Sequence, residues 1–299
     1  MEFVHELQGS GSRRTERVLS VEAARRASRK PSPKLRRDSR VFEEQLSALR
    51  KDHDALRQHL FEAAQMQRRL CGPRQMRRGA FEVSGEIFPV HHVSGDFISV
   101  FDKGTRLVVV LGDISGKGLS AGMWFPYLIA TIQRHLLAKS LAAALTAINS
   151  ELCSTQVAVP MSTLFLASLD IGTGDIEYCN AGHPPALLLR HAGRAETLDK
   201  GGPVLGVVPN ADFITGETVL EPGDSLLAYS DGIVESRNAA GVEFGMTRLL
   251  AAALSSDSSS ASGTLFSVLG ATEDFAGYQK REDDMALLVV HRDERSFNA

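Results

Sequence analysis

The sequence predicts an α+β fold of antiparallel sheets with helices outside them, preceded by a coiled-coil helix. Three observations predict it. A heptad-spaced apolar seam runs through residues 42–70, the pattern of a helix that pairs with another helix. Beyond it, short apolar runs are separated by Gly, Pro, Asn and Asp, as strands are separated by turns. Finally, two helix-length stretches follow one another, and hairpin turns replace the strand–helix alternation of a parallel sheet.

Residues 1–40 carry eleven Lys/Arg against five Asp/Glu, so residues 41–299 hold 22 against 31. The basic segment is rich in Ser, contains Pro31 and Pro33, and has few large apolar groups. It reads as a disordered tail. Such a tail can meet an acidic surface or nucleic acid. No aromatic or fold motif accompanies the charge, which argues against a nucleic-acid partner and for a solubilising role.

The seam consists of Phe42, Leu46, Leu49, His53, Leu56, Leu60, Ala63, Gln67 and Leu70. Its strict 3.5 period predicts a self-associating helix over 41–71, and hence a homodimer through the 42–70 helix. The polar His53 and Gln67 favour register over maximal stability. Gly72-Pro73 ends the helix. Strand-like runs follow at 81–90 and 106–111, then helices at 118–138 and 141–153. Residues 163–169 and 176–179 form a hairpin across the 170–175 turn. Further strands are expected at 186–189, 213–220 and 225–229, the last after a Pro222-Gly223-Asp224 turn. Helices start near Phe244 and after the Ser-rich stretch 255–262, and 285–291 is the last strand.

Composition narrows the class. With 43% hydrophobic and 23% charged residues, the chain is not wholesale disordered. No run approaches the ~18 uncharged apolar residues of a membrane span, and the N-terminus lacks the apolar core of a signal peptide. Cys71, Cys153 and Cys179 are too few and scattered for a disulfide framework or a zinc cluster. A reducing cytoplasm is the expected location.

The chemically informative residues are aspartates at strand ends. Residues 107–112 run into Asp113, residues 226–230 run into Asp231-Gly232, and Asp283-Asp284 stands before 285–290. Asp96 sits in Val93-Ser94-Gly95-Asp96-Phe97. If the third strand is antiparallel to the first two, the acidic ends share one sheet edge. Carboxylates so placed repel one another unless cations neutralise them. Oxygen-only ligands select hard ions such as Mg²⁺ or Mn²⁺. One aspartate after an apolar run usually just caps a turn; four in this shared context point to a two-metal site.

Taken in order, these residues resemble a family. Val93-Ser94-Gly95-Asp96-Phe97 is followed by Gly112-Asp113-Ile114-Ser115-Gly116-Lys117-Gly118 and Asn180-Ala181-Gly182-His183-Pro184-Pro185. Then come Gly201-Gly202-Pro203-Val204-Leu205-Gly206, Tyr229-Ser230-Asp231-Gly232-Ile233-Val234-Glu235 and Asp283-Asp284-Met285. The set is similar to the bacterial SpoIIE/RsbU-like branch of the PPM (protein phosphatase 2C-like) serine/threonine phosphatases, over residues 75–292. The resemblance implies a four-layer α-β-β-α sandwich with two Mn²⁺ or Mg²⁺ ions at one end of the sheets. By motif position, Asp113 would bridge the ions and the Ile114 carbonyl and Asp96 would hold one. Asp231 and Asp283 would hold the other, with Asp284 the lesser candidate of its pair. Lys117 would attract the substrate phosphate. The implied reaction is hydrolysis of a phosphoserine or phosphothreonine monoester on a protein. In this branch the usual substrate is a STAS-type anti-sigma-factor antagonist in a partner-switching pathway.

Some positions depart from the family. Ser99 stands where many members have a second Asp, and Ser115 where wider relatives carry a histidine proposed as general acid. His183 is expected to position backbone. A thiol mechanism on Cys71 and Arg77, which have Cys-x5-Arg spacing, is disfavoured because Cys71 closes the heptad helix. A P-loop is excluded, since 112–117 lacks the Gly-Lys-Ser/Thr ending. The alternative from another class is a non-catalytic pseudophosphatase, a binding module in the same kind of switch.

Overall fold

The computed structural model describes residues 33–116, 118–136, 138–156, 159–255 and 260–294. The tail expected over the first residues therefore lies, up to residue 32, outside the described residues. The chain divides into two units, Met1–Gln58 and His59–Ala299.

The described part of the first unit is helical. It belongs to α1, which spans Pro33–Cys71. The helix thus starts within the expected tail, eight residues before residue 41. Pro33 explains this: proline suits the first helical position, where its fixed φ fits and its missing N–H has no partner to lose. On this stretch the seam residues Phe42, Leu49 and Leu56 are 66%, 65% and 57% exposed.

The second unit opens with the last turns of α1, which Gly72 ends at a φ of 75°. The following elements are β1 (Gln75–Arg78), β2 (Phe81–Phe88), β3 (Asp96–Asp102), β4 (Arg106–Ile114), α2 (Leu119–His135) and α3 (Leu141–Ser154). Then come β5 (Ser162–Asp170), β6 (Asp175–Ala181), β7 (Ala186–Arg190), β8 (Arg194–Leu198), β9 (Gly201–Gly202) and β10 (Gly216–Val219). The chain continues with β11 (Ser225–Tyr229), α4 (Asp231–Val234), α5 (Gly245–Ser255), α6 (Ala261–Ala276) and β12 (Met285–Arg292). One sheet has the order β1-β2-β12-β11-β7-β8 and the other β10-β6-β5-β4-β3, with the short β9 parallel to β6.

Three cores show the layering. Ile98, Val109, Leu111, Phe165, Ala228 and Leu288 belong to a core between the two sheets. Phe97, Val108, Val110 and Leu164 pack outward with Phe125, Ile132 and Ile148 of α2 and α3. Leu227, Leu287 and Val289 pack outward with Leu249, Leu265 and Val268 of α5 and α6. This is the expected four-layer α-β-β-α sandwich. Because both faces of each sheet are covered, the central strands read as continuous apolar runs. Successive side chains alternate between faces, and that parity fixes which strand ends point between the sheets.

Two element expectations change. The strand expected at 213–220 shrinks to β10: Phe213 leaves the sheet to join the α2/α3 core. The acidic strand ends do not share one sheet edge. β4 lies in one sheet, while β11 and β12 pair in the other, so the aspartates meet across the sandwich.

Candidate active site

Asp96 opens β3 and Asp113 lies near the end of β4. The two strands are antiparallel and place Asp96 directly opposite Asp113. In β4, Leu107, Val109 and Leu111 face the inter-sheet core, and Asp113 continues that parity at the mouth. The Ile114 N–H donates to the Gly95 carbonyl at 3.2 Å. A Cβ on Gly95 would lie 2.8 Å from both Asp113 Oδ1 and the Ile114 carbonyl oxygen. Glycine there keeps open a cradle lined by two oxygens that could bind a cation.

The other sheet brings its carboxylates to the same end. Asp231 starts α4 immediately after β11, and Asp283 precedes β12, which pairs with β11. A side chain on Gly232 would collide with the Asp284 carbonyl, so glycine allows α4 to rest on the start of β12. The adjacent pair makes different contacts. Asp284 is buried; its Oδ1 accepts from Val90 N at 2.7 Å, and its Oδ2 accepts from Ser94 Oγ at 2.9 Å and Gly95 N at 2.8 Å. Both oxygens are committed to the loop that carries Asp96. Asp283 is half-buried, and its Oδ1 accepts the Asp284 N–H at 2.9 Å.

The electrostatics show that these groups share one space. Asp96 is 3% exposed and its Oδ2 has no hydrogen-bond partner among the described residues. Burial pushes its carboxyl well above the usual range; a hydrogen bond from Ser230 opposes this, and Asp113, Asp284 and Asp231 add to it. Asp113 is pushed up to about 6, first by burial and then by Asp231, Asp283 and Asp284. A buried carboxylate oxygen with no donor, among carboxylates that raise one another, is a donor set suited to a cation. Among the described residues, no three His, Cys, Asp or Glu side chains stand close enough together to hold a metal ion. The residues thus fit hard cations in chemistry and gather at one end of the sheets, with the side chains still apart.

Other sequence candidates fall into place. Ile114 is 1% exposed, beside Asp113 at the end of β4. Lys117 lies outside the described residues. Ser99 is fully buried on the helix-facing parity of β3, away from the carboxylates, so the missing second Asp does not alter the cradle. His183 is 5% exposed, its Nδ1 is 2.8 Å from Thr163 Oγ1, and burial pushes its pKa down to about 3. Its backbone is clasped by Asn180, which accepts from His183 N at 2.7 Å and donates to His183 O at 2.9 Å. Thr163 is the register partner of Asp113, so His183 stands one residue behind the carboxylate. Cys71 is 2% exposed, and burial raises its thiol; Arg77 is engaged by Asp293. No activated thiol exists there.

Sequence reasoning missed three supporting residues. Ser94 holds Asp284, as described. Ser230, fully buried, accepts from Ala286 N at 2.8 Å through its Oγ and hydrogen-bonds Asp96. Gln67, in the last turns of α1, donates through Nε2 to Ser94 O at 2.7 Å and accepts from Ser94 N at 3.2 Å through Oε1. Ser94 and Ser230 lay inside the quoted motifs, and Gln67 was a polar residue on an apolar seam; these were the available signals.

Comparison with known proteins shows the family. Residues 103–293 match the family model described as Stage II sporulation protein E (SpoIIE). Protein IcfG of Synechocystis sp. is 28% identical over 199 residues, 57% of this chain and 31% of that protein. Phosphoserine phosphatase RsbU of Bacillus subtilis is 23% identical over 236 residues, 77% of this chain and 69% of that protein. The chain therefore spans less than a third of the Synechocystis protein. Among solved structures, the RsbU and RsbW domains of a Mycobacterium tuberculosis protein superpose with a TM-score of 0.63 at 26% identity, covering 74% of this chain and 62% of that one. The SiaA-PP2C domain of Pseudomonas aeruginosa gives a TM-score of 0.71 at 18% identity, with 83% and 98% coverage. That likeness concerns the fold.

Proposed function

Because the chain belongs to the SpoIIE family, we propose that it is a metal-dependent phosphoprotein phosphatase, hydrolysing phosphoserine or phosphothreonine monoesters. The observation that carries the reading is Asp96: buried, opposite Asp113 in register, with an oxygen that no protein donor reaches. In this reading Asp96, Asp113, the Ile114 carbonyl, Asp231 and Asp283 would hold two Mn²⁺ or Mg²⁺ ions. Bound ions would neutralise phosphoryl charge and lower the pKa of a water.

The chain's own residues prepare the site. Gly95 keeps the cradle open. Asp284, held by Val90, Ser94 and Gly95, fixes the loop behind Asp96 and is assigned positioning rather than ligation. Ser230 ties Asp96 to the β11–β12 end. Asp231, the most exposed of the set, lies nearest the solvent from which a phosphoprotein arrives.

The finer proposals are a STAS-type anti-sigma-factor antagonist as substrate, supported by the motif resemblance, and a cytoplasmic setting. Among the described residues no helix is long and apolar enough to cross a membrane, and the three cysteines are free. We also propose a homodimer through the helix seam, supported by the exposed Phe42, Leu49 and Leu56. Phosphate release from a phosphoserine peptide, with and without Mn²⁺, tests the enzyme against the pseudophosphatase. Metal-dependent release supports the enzyme; no release at any Mn²⁺ concentration supports the binding module.

A further inference from the structure

A groove of about 450 Å³ opens beside the carboxylates, within the roughly 300–1,000 Å³ that bound ligands occupy. Gly232 and Asp283 line it at the metal end, and Arg237, Asn238, Gln279 and Lys280 extend it away from them. Glu235 also lines the metal end: its carboxyl is raised, first by burial and next by Asp231. One wall is preformed. Asn238 Oδ1 accepts from Ala240 N at 3.0 Å and Val242 N at 3.1 Å, and Arg237 pairs with Glu243 at 2.8 Å. The other wall follows α6, where Gly277 turns the chain at a φ of 61°. Here Arg281 is anchored by Glu273 at 2.6 Å and lies 5.0 Å from the centre of the Phe88 ring.

One cation on that second wall is not anchored. Lys280 lines the groove beside Glu282 and makes no ion pair among the described residues. An unpaired cation on a groove continuous with a reaction centre suits the docking of a charged segment. Arg237 and Arg281 already have carboxylate partners, so Lys280 is the cation left for an incoming acid.

We propose that this groove docks the chain segment flanking the phosphorylated residue of the protein substrate, with Lys280 selecting an acidic side chain. This rests on the phosphatase reading and adds a specificity site to it. The phosphate would lie at the Asp283 end and the acidic residue at the Lys280 end. A small aryl phosphate reaches only the first of these.

The test uses the full chain, p-nitrophenyl phosphate, and ten-residue phosphoserine peptides with Glu, Ala or Lys around the phosphoserine. Lys280→Glu should lower kcat/KM for the Glu peptides about five- to tenfold, the scale of reversing an exposed ion pair, and invert the Glu-over-Lys preference. The variant should turn over p-nitrophenyl phosphate as the parent does. Peptide profiles unchanged within twofold, or equal losses on the aryl phosphate, overturn the groove. If the parent releases phosphate from nothing, the phosphatase reading fails. Fluorescence anisotropy of the labelled peptides then decides the groove: the Glu-over-Lys preference must be present in the parent and inverted in Lys280→Glu, or the groove is rejected.

Discussion

At the residue scale, the site is a set of carboxylates held against their own repulsion. Asp113 shows the consequence for pH. Burial above all pushes its carboxyl up to about 6, against about 3.9 for an unperturbed Asp. A raised folded pKa stabilises the fold fully below the unfolded value and loses that contribution as pH rises toward 6. The metal-free protein should therefore melt at higher temperature at pH 5 than at pH 7.5, and Asp113→Asn should reduce the difference. Calorimetry in EDTA reads both; a wild-type midpoint that is flat or rises over that range contradicts the crowding. Asp284→Asn makes a separate prediction. One Asp284 oxygen becomes an NH₂ facing donors, so the 89–95 loop should loosen and Mn²⁺ affinity fall about tenfold, the cost of a lost charge-assisted hydrogen bond. Excess Mn²⁺ should restore turnover, whereas it should not rescue Asp113→Ala.

Residue-scale legibility was uneven for a physical reason. Asp113, Asp231 and the 283–284 pair announce themselves because an apolar strand ends in a charge. The division of labour between Asp283 and Asp284 does not. It depends on Ser94 and Gly95, about 190 positions away in the chain, and no local pattern encodes that meeting.

At the element scale, α1 carries two messages in one sequence. Its seam positions on 33–58 include exposed Phe42, Leu49 and Leu56. Further along, Gln67, which the heptad places on the same seam, makes two hydrogen bonds to the Ser94 backbone. Gln67 therefore supports the loop behind Asp96 at a position where a paired coil would want a buried side chain. Gln67→Leu should strengthen coil pairing and weaken Mn²⁺ binding about five- to tenfold, at about 1 kcal/mol for a net hydrogen bond. Sedimentation and Mn²⁺-titrated turnover on one sample read the two effects; unchanged metal affinity would leave Gln67 as packing only. Leu49→Asp with Leu56→Asp should convert the proposed dimer to monomers, and a variant still dimeric would move the interface elsewhere. Among elements, most strands with apolar runs were legible, and so was the Asp170-led hairpin, which closes with Gly174 N donating to Asp170 O at 2.9 Å. β1, β8 and β9 were not, because exposed or two-residue strands leave little apolar pattern, and neither was β3, where Ser99 interrupts a short apolar run between two aspartates.

At the scale of the whole molecule, the inter-sheet core is what brings Asp96 and Asp113 toward Asp231 and Asp283. Strand parity points Ile98, Leu111 and Leu288 inward and, by the same alternation, sends Asp96, Asp113 and Asp284 to the mouth between the sheets. Ile98→Ala should cost about 2–5 kcal/mol, lowering the melting midpoint by about 2–4 °C for each kcal/mol. Hairpin spacing and paired helices suggested antiparallel sheets with helices outside, and the family resemblance implied two of them. The assignment of β4 to one sheet and β11 and β12 to the other was not legible, because strand pairing over a hundred residues leaves no periodic trace.

The central claim is that Asp113 and Asp96 hold metal ions that carry phosphoester hydrolysis. Mn²⁺ titration calorimetry of wild type and Asp113→Asn, read beside phosphate release from a phosphoserine peptide, tests it most directly. The account predicts two Mn²⁺ per wild-type chain, EDTA-reversible turnover, and in Asp113→Asn loss of tight binding with turnover down about a thousandfold, equal to about 4 kcal/mol of barrier. Turnover that survives EDTA, or an Asp113→Asn chain that keeps two tight ions and more than a tenth of the rate, would contradict it.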